Sequence, residues 1–312
     1  MNREELKKLI GGTIATLPTP FDDDYRLDLS RTTALTLWWV EQGLGTGISP
    51  LKVAAAMGEG PDMSDDEWPH LLRTVVNAAP SDTAVICALK PKNTLHTIED
   101  AKRAQDLGAI GLQIDLPFFH HPQQDDLVRF YSDISDAIDI GIMIYNTHWF
   151  CQAPMQEAVR AETMLRLTDA EHVVAIKWGT PNPDDYDTMR EFSSTFNVID
   201  NTGQSVRAHK NGARGYISAF VAVHPQHDME IWQLMEQGRY EEAQEKKDRV
   251  REAMAPWMTS TGARSGGYRQ IKGLMAAIGQ PAGPPRPPTL PVDESEIAVI
   301  RPIIEQLGWA SS

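Results

Sequence analysis

The chain has 312 residues, of which 41% are hydrophobic and 23% are charged, as is typical of a soluble globular protein. Its formal net charge of −14 argues against binding to nucleic acid or to an anionic membrane, because both require a basic surface. No apolar run approaches the roughly 18 residues of a membrane span, and the first residues lack the apolar stretch of a secretory signal. We therefore expect a cytoplasmic protein. The two cysteines, Cys87 and Cys151, are too few for a disulfide framework, and we expect free thiols.

Short apolar runs alternate with longer segments of helical period from about residue 12 to residue 236. This alternation is the pattern of repeated βα units around a parallel sheet. Eight such units in roughly 225 residues match the usual size of a (β/α)8 barrel. We therefore predict an α/β fold, a TIM barrel over residues 1–236, in which a helix follows each strand. The strand candidates are 13–17, 46–49, 83–89, 110–115, 141–145, 173–177, 197–200 and 215–220.

The remaining residues, 237–312, lack strand-like runs and predict a C-terminal helical region. Two amphipathic segments, RYEEAQEKKDRVREAMAPWM and YRQIKGLMAAIG, read as helices, and a third helix follows at DESEIAVIRPIIEQLG. Between the second and third helices, PAGPPRPPTLP is too rich in proline for helix or sheet and predicts an extended connector.

Two residues at strand ends indicate chemistry, because the active site of such a barrel lies at the carboxyl ends of its strands. The fifth predicted strand ends at Tyr145 and the sixth at Lys177, so both side chains are expected at one level of the barrel mouth. Burial at the end of an apolar strand favours a neutral lysine amine, which can attack a carbonyl. The alternatives are a Lys177 that extends to solvent or pairs with a carboxylate, and a Tyr145 that is a core ring.

Five short motifs in order, TPF, GEGPDMS, LPFFHHP, IYN and AIKWGT, resemble the dihydrodipicolinate synthase and N-acetylneuraminate lyase superfamily along nearly the whole chain. The resemblance implies a Schiff base between Lys177 and the carbonyl of a 2-oxo acid, with Tyr145 as the proton-transfer group. It also implies a small-molecule carbonyl substrate, no metal or organic cofactor, and a homo-oligomer, either a dimer or a tetramer.

The sequence departs from the family pattern where the substrate carboxylate is held. The family has two hydroxyl residues before Gly-Glu, whereas residues 55–59 here read Ala-Ala-Met-Gly-Glu. The backbone N–H groups of Ala56 and Met57 remain as candidates for binding a carboxylate, since oriented amides bind anions without side chains. Phe119 replaces a relay tyrosine of the synthases, and Phe150 lies near the position of their arginine. A lysine-pathway synthase is therefore not expected.

Aromatic residues replace these polar groups after the predicted strands. Rings around the barrel mouth would suit an aromatic or bulky apolar substrate, as in the family's hydratase-aldolases, to which this chain is predicted to be nearer. The alternative is that the rings pack against loops or a neighbouring subunit. The residues concerned are Phe118, Phe119, Trp149, Phe150 and Trp178.

Histidines on the same loops are candidates for the missing acid–base function. His148 is preferred because it follows Tyr145 by three residues on the same loop, whereas His120 and His121 read as surface or supporting residues. The spacing of the three histidines does not support a metal site.

Three further residues complete the predicted substrate-binding set. Thr19 ends the first strand, where its hydroxyl either reaches Lys177 or the substrate or caps the turn before Pro20. Asn201 and Ser218 belong to the ends of the seventh and eighth strand candidates.

Three functions stay open. The first is a class I aldolase or hydratase-aldolase that joins or splits a 2-oxo acid and an aromatic or hydrophobic aldehyde. The second is a Schiff-base dehydratase or deaminase of a hydroxylated 2-oxo acid, which would need more polar groups than these loops offer. The third is a catalytically inactive ligand-binding barrel, against which the presence of Lys177 and Tyr145 argues.

Overall fold

The computed structural model describes residues 1–148, 157–262 and 267–309, apart from the side chain of Phe118. Eight strands pair in sequence order and close into a barrel, which confirms the predicted (β/α)8 TIM barrel. The strands are β1 (Gly12–Thr16), β2 (Leu51–Val53), β3 (Val85–Leu89), β4 (Gly111–Asp115), β5 (Gly141–Tyr145), β6 (Val173–Trp178), β7 (Asn197–Asp200) and β8 (Gly215–Ser218).

Helices follow most of the strands, and three more follow the barrel, as predicted for the C-terminal region. They are α1 (Arg3–Leu9), α2 (Leu29–Glu41), α3 (Glu67–Ala78), α4 (Thr94–Asp106), α5 (Gln124–Ser135), α6 (Ala161–Arg166), α7 (Ser205–Lys210), α8 (Pro225–Glu236), α9 (Tyr240–Gly262), α10 (Gly267–Ala277) and α11 (Glu294–Leu307). Across the described parts of the chain, none of the helices is both long and apolar enough to cross a bilayer.

Two details differ from the sequence prediction. Strand β2 lies at Leu51–Val53 instead of residues 46–49, because the backbone turns back where the N–H of Gly45 donates to the carbonyl of Ser49. Strand β6 is followed by a 3-10 segment, Pro183–Glu191, and not by an α-helix.

One compact unit comprises Met1–Ile14, Gly45–Lys52 and Ser81–Ile217. Ile10, after α1, lies against two strand glycines, Gly111 and Gly141, where an added Cβ would approach its Cδ1 to 2.6 and 2.5 Å. Glycine at these positions therefore lets Ile10 cover the start of β4 and β5. The buried apolar cluster of this unit is Leu6, Ile10, Ile14, Ile86, Met143, Val174, Ala175 and Ile199.

The second compact unit comprises Ala15–Leu44, Val53–Pro80 and Ser218–Ser312. Within it the buried carboxylate of Glu59 pairs with Lys272 of α10 and accepts a hydrogen bond of 3.0 Å from the backbone N–H of Arg286. Arg286 lies in the proline-rich segment, which has neither helix nor strand, as predicted. The buried guanidinium of Arg269 donates to the carbonyls of Thr261 and Leu290 and so fixes that segment to α9 and α10.

Candidate active site

Three polar side chains form a row across the ends of β4, β5 and β6. Asp115 pairs in register with Tyr145, and Tyr145 pairs in register with Lys177. Register partners on parallel strands point to the same face of a sheet, so the three side chains share one face. The sequence predicted the Tyr145 and Lys177 placement but did not single out Asp115.

Tyr145 lies beside the Lys177 amine. The nitrogen is 3.5 Å from the centroid of the tyrosine ring, and both side chains are buried. The Tyr145 hydroxyl is hydrogen-bonded to the side chain of Asn201, which follows β7. Burial, and then the nearby Asp115 carboxylate, raise the pKa of Tyr145. The ring therefore covers the amine, while the hydroxyl is held on the β7 side of it.

The loop after β5 is tied to the next two segments by Asn146 of the IYN motif. Its side-chain amide donates to the carbonyls of Val159 and Gly179, at 3.1 Å each, and its oxygen accepts from the N–H of Val159 at 2.9 Å. Buried amide groups that are fully used in this way hold a backbone firmly. These bonds fix the exits of β5 and β6, next to Tyr145 and Lys177.

Burial shifts the pKa values of Lys177 and Asp115 in opposite directions. It lowers the pKa of Lys177 towards neutrality, against the opposing charge of Asp115. It raises the pKa of Asp115 towards neutrality, against the opposing charge of Lys177. The pair can hold its one shared proton in two ways: as a charged amine with a carboxylate, or as a neutral amine with a protonated carboxyl. The neutral form, in which the amine is a nucleophile, is therefore accessible near neutral pH.

A second lysine lies in the same unit, in β2. Lys52 is fully buried, and its amine donates to the side-chain carbonyl of Gln113 at 2.9 Å. The amide nitrogen of Gln113 donates to the Asp115 carboxylate at 3.3 Å. Ala88 of β3 pairs in register with Gln113. Burial, and then the charge of Lys177, lower the pKa of Lys52 well below its usual value.

Residues 9–307 match the dihydrodipicolinate synthetase family. The chain belongs to this family. The match covers nearly the whole sequence, so it includes both the barrel and the C-terminal helices, and it confirms the predicted superfamily. Membership supports a lyase of the class I aldolase type, which uses a lysine Schiff base.

Individual relatives carry the names of family enzymes. The 4-hydroxy-tetrahydrodipicolinate synthase 1 of Halalkalibacterium halodurans is 28% identical over 291 residues, which are 92% of this chain and 94% of that protein. The 4-hydroxy-tetrahydrodipicolinate synthase of Acidothermus cellulolyticus is 32% identical over 167 residues, 54% of this chain and 52% of that protein. That alignment spans about half the relative's length. The solved dihydrodipicolinate synthase of Thermotoga maritima, 24% identical, covers 96% of this chain and 99% of its own, with a TM-score of 0.82. This likeness shows the shared fold.

The sequence prediction did not single out Lys52, Gln113 or Asp115. Lys52 was hidden because the second strand was predicted at residues 46–49, which left the lysine in a loop. Asp115 was visible as the last residue of an apolar strand. A carboxylate at that position, facing a lysine two strands away, is the signal that would have found it.

Trp178 requires a correction. It was expected at the barrel mouth, but it follows Lys177 in β6 and therefore points to the opposite face of the strand. Its indole is 1% exposed, donates to the carbonyl of Tyr186 at 2.9 Å, and meets the ring of Phe192 edge-on at 5.1 Å. Trp178 is thus a packed side chain with a satisfied N–H group.

The other residues predicted around these loops fall in different environments. Phe119 is 77% exposed in a 3-10 turn, Phe118–His120. His148 lies against Gly179, and burial lowers the pKa of its imidazole. Trp149 and Phe150 lie outside the described residues. Among the predicted aromatic side chains that the structure describes, Phe119 is exposed and Trp178 is buried.

Four of the predicted binding residues belong to the second unit, and the contacts of Thr19 and Ser218 are with other residues of that unit. The hydroxyl of Thr19 donates to the carbonyl of Gly58, and that of Ser218 donates to Asp228 at 3.1 Å. Ala56 and Met57 begin a 3-10 turn, Ala56–Gly58. Both hydroxyl protons are thus used within the protein, and the roles of all four residues in substrate binding stay predictions.

No group of three or more histidine, cysteine, aspartate or glutamate side chains in residues 1–148, 157–262 and 267–309 is placed to hold a metal ion. Of the two cysteines, Cys87 is a buried free thiol whose pKa burial raises, and Cys151 lies outside those ranges.

Proposed function

We propose that this protein is a lyase of the class I aldolase type that forms a Schiff base with a 2-oxo acid through Lys177. The observation that carries the proposal is the environment of the amine: it is buried at the end of β6, lies over the Tyr145 ring and has a lowered pKa. A desolvated lysine amine of this kind is an effective nucleophile toward a carbonyl carbon. Membership in the dihydrodipicolinate synthetase family supports the same chemistry.

The reaction begins when the neutral amine of Lys177 adds to the keto carbon and gives a tetrahedral adduct with a hydroxyl group. Loss of that hydroxyl as water, with one proton supplied, gives a protonated imine. The imine withdraws electrons from the neighbouring carbon and stabilises the enamine formed there. Tyr145 is proposed to hydrogen-bond the adduct oxygen, with Asn201 holding its hydroxyl. Water then releases the product and restores the free amine.

We propose an aromatic or hydrophobic aldehyde as the partner of the 2-oxo acid, as for a hydratase-aldolase. Support comes from apolar residues where the family pattern has polar ones: alanine and methionine at positions 56 and 57, phenylalanine at position 119, and phenylalanine at position 150, near the arginine that the synthases use for a charged aldehyde. An exposed aromatic side chain on the loop after β4 is suited to contact a planar apolar partner.

The structure also favours a second candidate, a dehydratase or deaminase of a hydroxylated 2-oxo acid. The sequence argued against it because few polar groups were visible in the loops. Such groups are supplied by the hydrogen-bonded side chains of Lys52, Gln113 and Asp115. Asp115 also belongs to the register row that contains Lys177. A substrate hydroxyl that leaves as water needs an acid nearby, which a protonated carboxyl provides.

Borohydride trapping tests the Schiff base. The protein is incubated with pyruvate, 2-oxobutyrate or arylidene pyruvates, reduced, and digested for peptide mass spectrometry. We expect a reduced adduct on Lys177 that is missing in Lys177→Ala and present in Lys102→Ala, a matched change on the exposed side of α4. If the wild-type protein forms no adduct with any 2-oxo acid, the barrel is an inactive ligand-binding scaffold.

A substrate panel then separates the two candidates. Turnover of arylidene pyruvates, followed by release of an aromatic aldehyde, supports the hydratase-aldolase. Turnover of hydroxylated 2-oxo acids with loss of water or ammonia supports the dehydratase or deaminase. Dependence of either activity on His148 is measured with His148→Gln, since its acid–base role is still a prediction.

We further propose that the protein acts in the cytoplasm as a homodimer or homotetramer. The family membership supports an oligomer, although one solved relative, 24% identical and with a TM-score of 0.83, is described as a monomeric variant. Light scattering at catalytic concentrations distinguishes the monomer from either assembly.

A further inference from the structure

The polar chain, meaning Lys52, Gln113 and Asp115, has no assigned role in forming the Schiff base itself. Burying a lysine is costly unless its donors are bonded and a compensating group lies near. Here the Lys52 amine is bonded to Gln113, and Gln113 is bonded to Asp115. Two lysines and one carboxyl are therefore assembled in one unit, where apolar side chains would stabilise the barrel at lower cost.

The carboxyl of Asp115 lies in the same register row as the Lys177 amine. The two residues are two strands apart in one register row, about 10 Å between backbones at the usual strand spacing. The Lys177 amine leans over the Tyr145 ring of the intervening strand, toward β4, which shortens the span. Asp115 as a whole is half-buried and is the last residue of β4, so its side chain belongs to the strand end.

The Tyr145 hydroxyl is on the other side of the amine. It is bonded to Asn201 after β7, and its proton is held more tightly than in a free tyrosine because burial raises its pKa. A group with a pKa near the working pH transfers protons more effectively than one far from it. The arrangement therefore separates two roles: the hydroxyl can orient the adduct, and the carboxyl can carry a proton.

On the basis of the proposed Schiff-base function, we propose that Asp115 is the acid–base residue of the reaction, with Lys52 and Gln113 as the positioning residues that hold its carboxyl. In the first step the neutral amine of Lys177 and the protonated Asp115 meet the keto group. The amine nitrogen bonds to the carbonyl carbon, and the adduct hydroxyl leaves as water with the Asp115 proton. The products are a positively charged imine, an Asp115 carboxylate and water.

In the second step the carboxylate removes a proton from the carbon next to the imine. The electron pair of that C–H bond moves into the new C=C bond of a neutral enamine, and Asp115 is again protonated. An aldehyde that bonds to the enamine carbon takes this proton on its oxygen. Hydrolysis of the imine returns one proton to Asp115 and the neutral amine to Lys177. Protons and charges balance over the cycle without any further reactant than water.

Titratable groups face Asp115 from several strands. Lys52 comes from β2, Tyr145 from β5 and Lys177 from β6. On the β3 side Ala88 is level with Gln113, and Lys90, the first residue after β3, comes next on that face, level with Asp115. Burial of the carboxyl raises its pKa, and Lys177, then the Gln113 hydrogen bond, then Lys52 oppose the rise. Lys52 thus acts on the reaction through Asp115.

The test is exchange of the methyl protons of pyruvate in D2O, followed by proton NMR, beside borohydride trapping on the same samples. Wild-type protein is expected to do both. Asp115→Asn is expected to keep the Lys177 adduct but to exchange at least about 100-fold more slowly, the usual contribution of a positioned base. Asp106→Asn, which changes an exposed carboxylate in α4, should behave as the wild type.

The outcomes separate the two proposals. A wild-type protein without an adduct on any 2-oxo acid refutes the Schiff-base function itself. An adduct together with unchanged exchange in Asp115→Asn, or with loss of exchange in His148→Gln alone, refutes the role of Asp115. If Asp115→Asn does not fold, Asp115→Ala is assayed with added formate. Restored exchange then supports the proposal, and no restoration overturns it.

The positioning role of Lys52 is tested with Lys52→Met, which keeps the length of the side chain. Because Lys52 opposes the rise in the Asp115 pKa, its loss is expected to move the alkaline limb of the exchange profile to higher pH. If Lys52 only fills space, its replacement would lower the exchange rate by the same factor at every pH and leave the alkaline limb where it is. That result would contradict the proposal for Lys52.

Discussion

The Tyr145 hydroxyl and the Asn201 side chain share a hydrogen bond that joins β5 to the loop after β7. The strand between them, β6, carries Lys177, so the bond crosses the level of the amine. Removing the hydroxyl alone therefore leaves the ring over the amine but frees it from its anchor.

Tyr145→Phe is expected to slow borohydride-trapped adduct formation about 100-fold, because a positioned hydrogen-bonding or proton-transfer group contributes on that order. Asn201→Ala should slow it less, since the hydroxyl remains. Rapid-quench trapping with pyruvate measures both rates, and a thermal melt serves as the control for folding. An unchanged rate in Tyr145→Phe would show that the tyrosine is only a packing residue.

The rate of adduct formation should depend on pH as a bell with its maximum near neutrality. At low pH both Lys177 and Asp115 are protonated, so no free amine exists. At high pH the amine is free, but Asp115 has lost the proton that the leaving hydroxyl needs. Between these limits the pair holds one proton and its neutral form reacts, because burial lowers the lysine pKa and raises the aspartate pKa.

Trapping rates measured from about pH 5 to about pH 10 cover both the acid and the alkaline limb of the pH profile. An acid limb at the pKa of an ordinary lysine, near 10.4, would mean that Lys177 is not desolvated in solution. Asp115→Asn should retain the acid limb and lose the alkaline one, which identifies each limb with its residue.

Trp178→Phe should affect stability and not substrate binding. The change removes the hydrogen bond to the Tyr186 carbonyl and leaves that acceptor buried, a loss of about 1 to 3 kcal/mol in the free energy of unfolding. Urea denaturation measures the loss, and trapping at several pyruvate concentrations measures the apparent affinity. A weaker affinity with unchanged stability would restore the earlier expectation that this ring binds the substrate.

The periodicity of apolar residues was enough to predict the barrel, and the residues at which the strands end were enough to predict the pair of Lys177 and Tyr145. A parallel barrel imposes alternation within strands and helices between them, and these leave a readable pattern of apolar residues. The same alternation, applied to β6, would have placed Trp178 opposite Lys177. Alternation along β6 therefore predicts the position of Trp178, whereas the aromatic composition of the loops does not.

Lys52 and Gln113 could not be identified in the same way. Their role depends on the register between strands, and register is set by long-range hydrogen bonding that the spacing of residues does not reveal. A two-glycine turn around Gly45 also displaced β2 by five residues from the predicted start at residue 46. A short buried strand that includes a lysine has no alternating signature, so its place appears only when the barrel closes.

The buried pair of Glu59 and Lys272 gives a prediction about stability that is independent of catalysis. Burial raises the pKa of Glu59 and lowers that of Lys272 to about 8, and each charge counters the shift of the other. Glu59→Gln leaves the lysine charge without its partner, and removing one partner of a buried pair costs about 3 to 5 kcal/mol. We expect a correspondingly large fall in the free energy of unfolding, measured in urea.

The double variant Glu59→Gln/Lys272→Met should recover part of this loss, because it removes the uncompensated charge as well. Glu242→Gln, which breaks the exposed ion pair between Glu242 of α9 and Arg239 just before that helix, is the matched control and should leave the unfolding midpoint unchanged. If the double variant were as unstable as Glu59→Gln alone, the loss would come from the hydrogen bond between Glu59 and the Arg286 N–H group. In that case the proline-rich segment, and not the ion pair, would be what Glu59 stabilises.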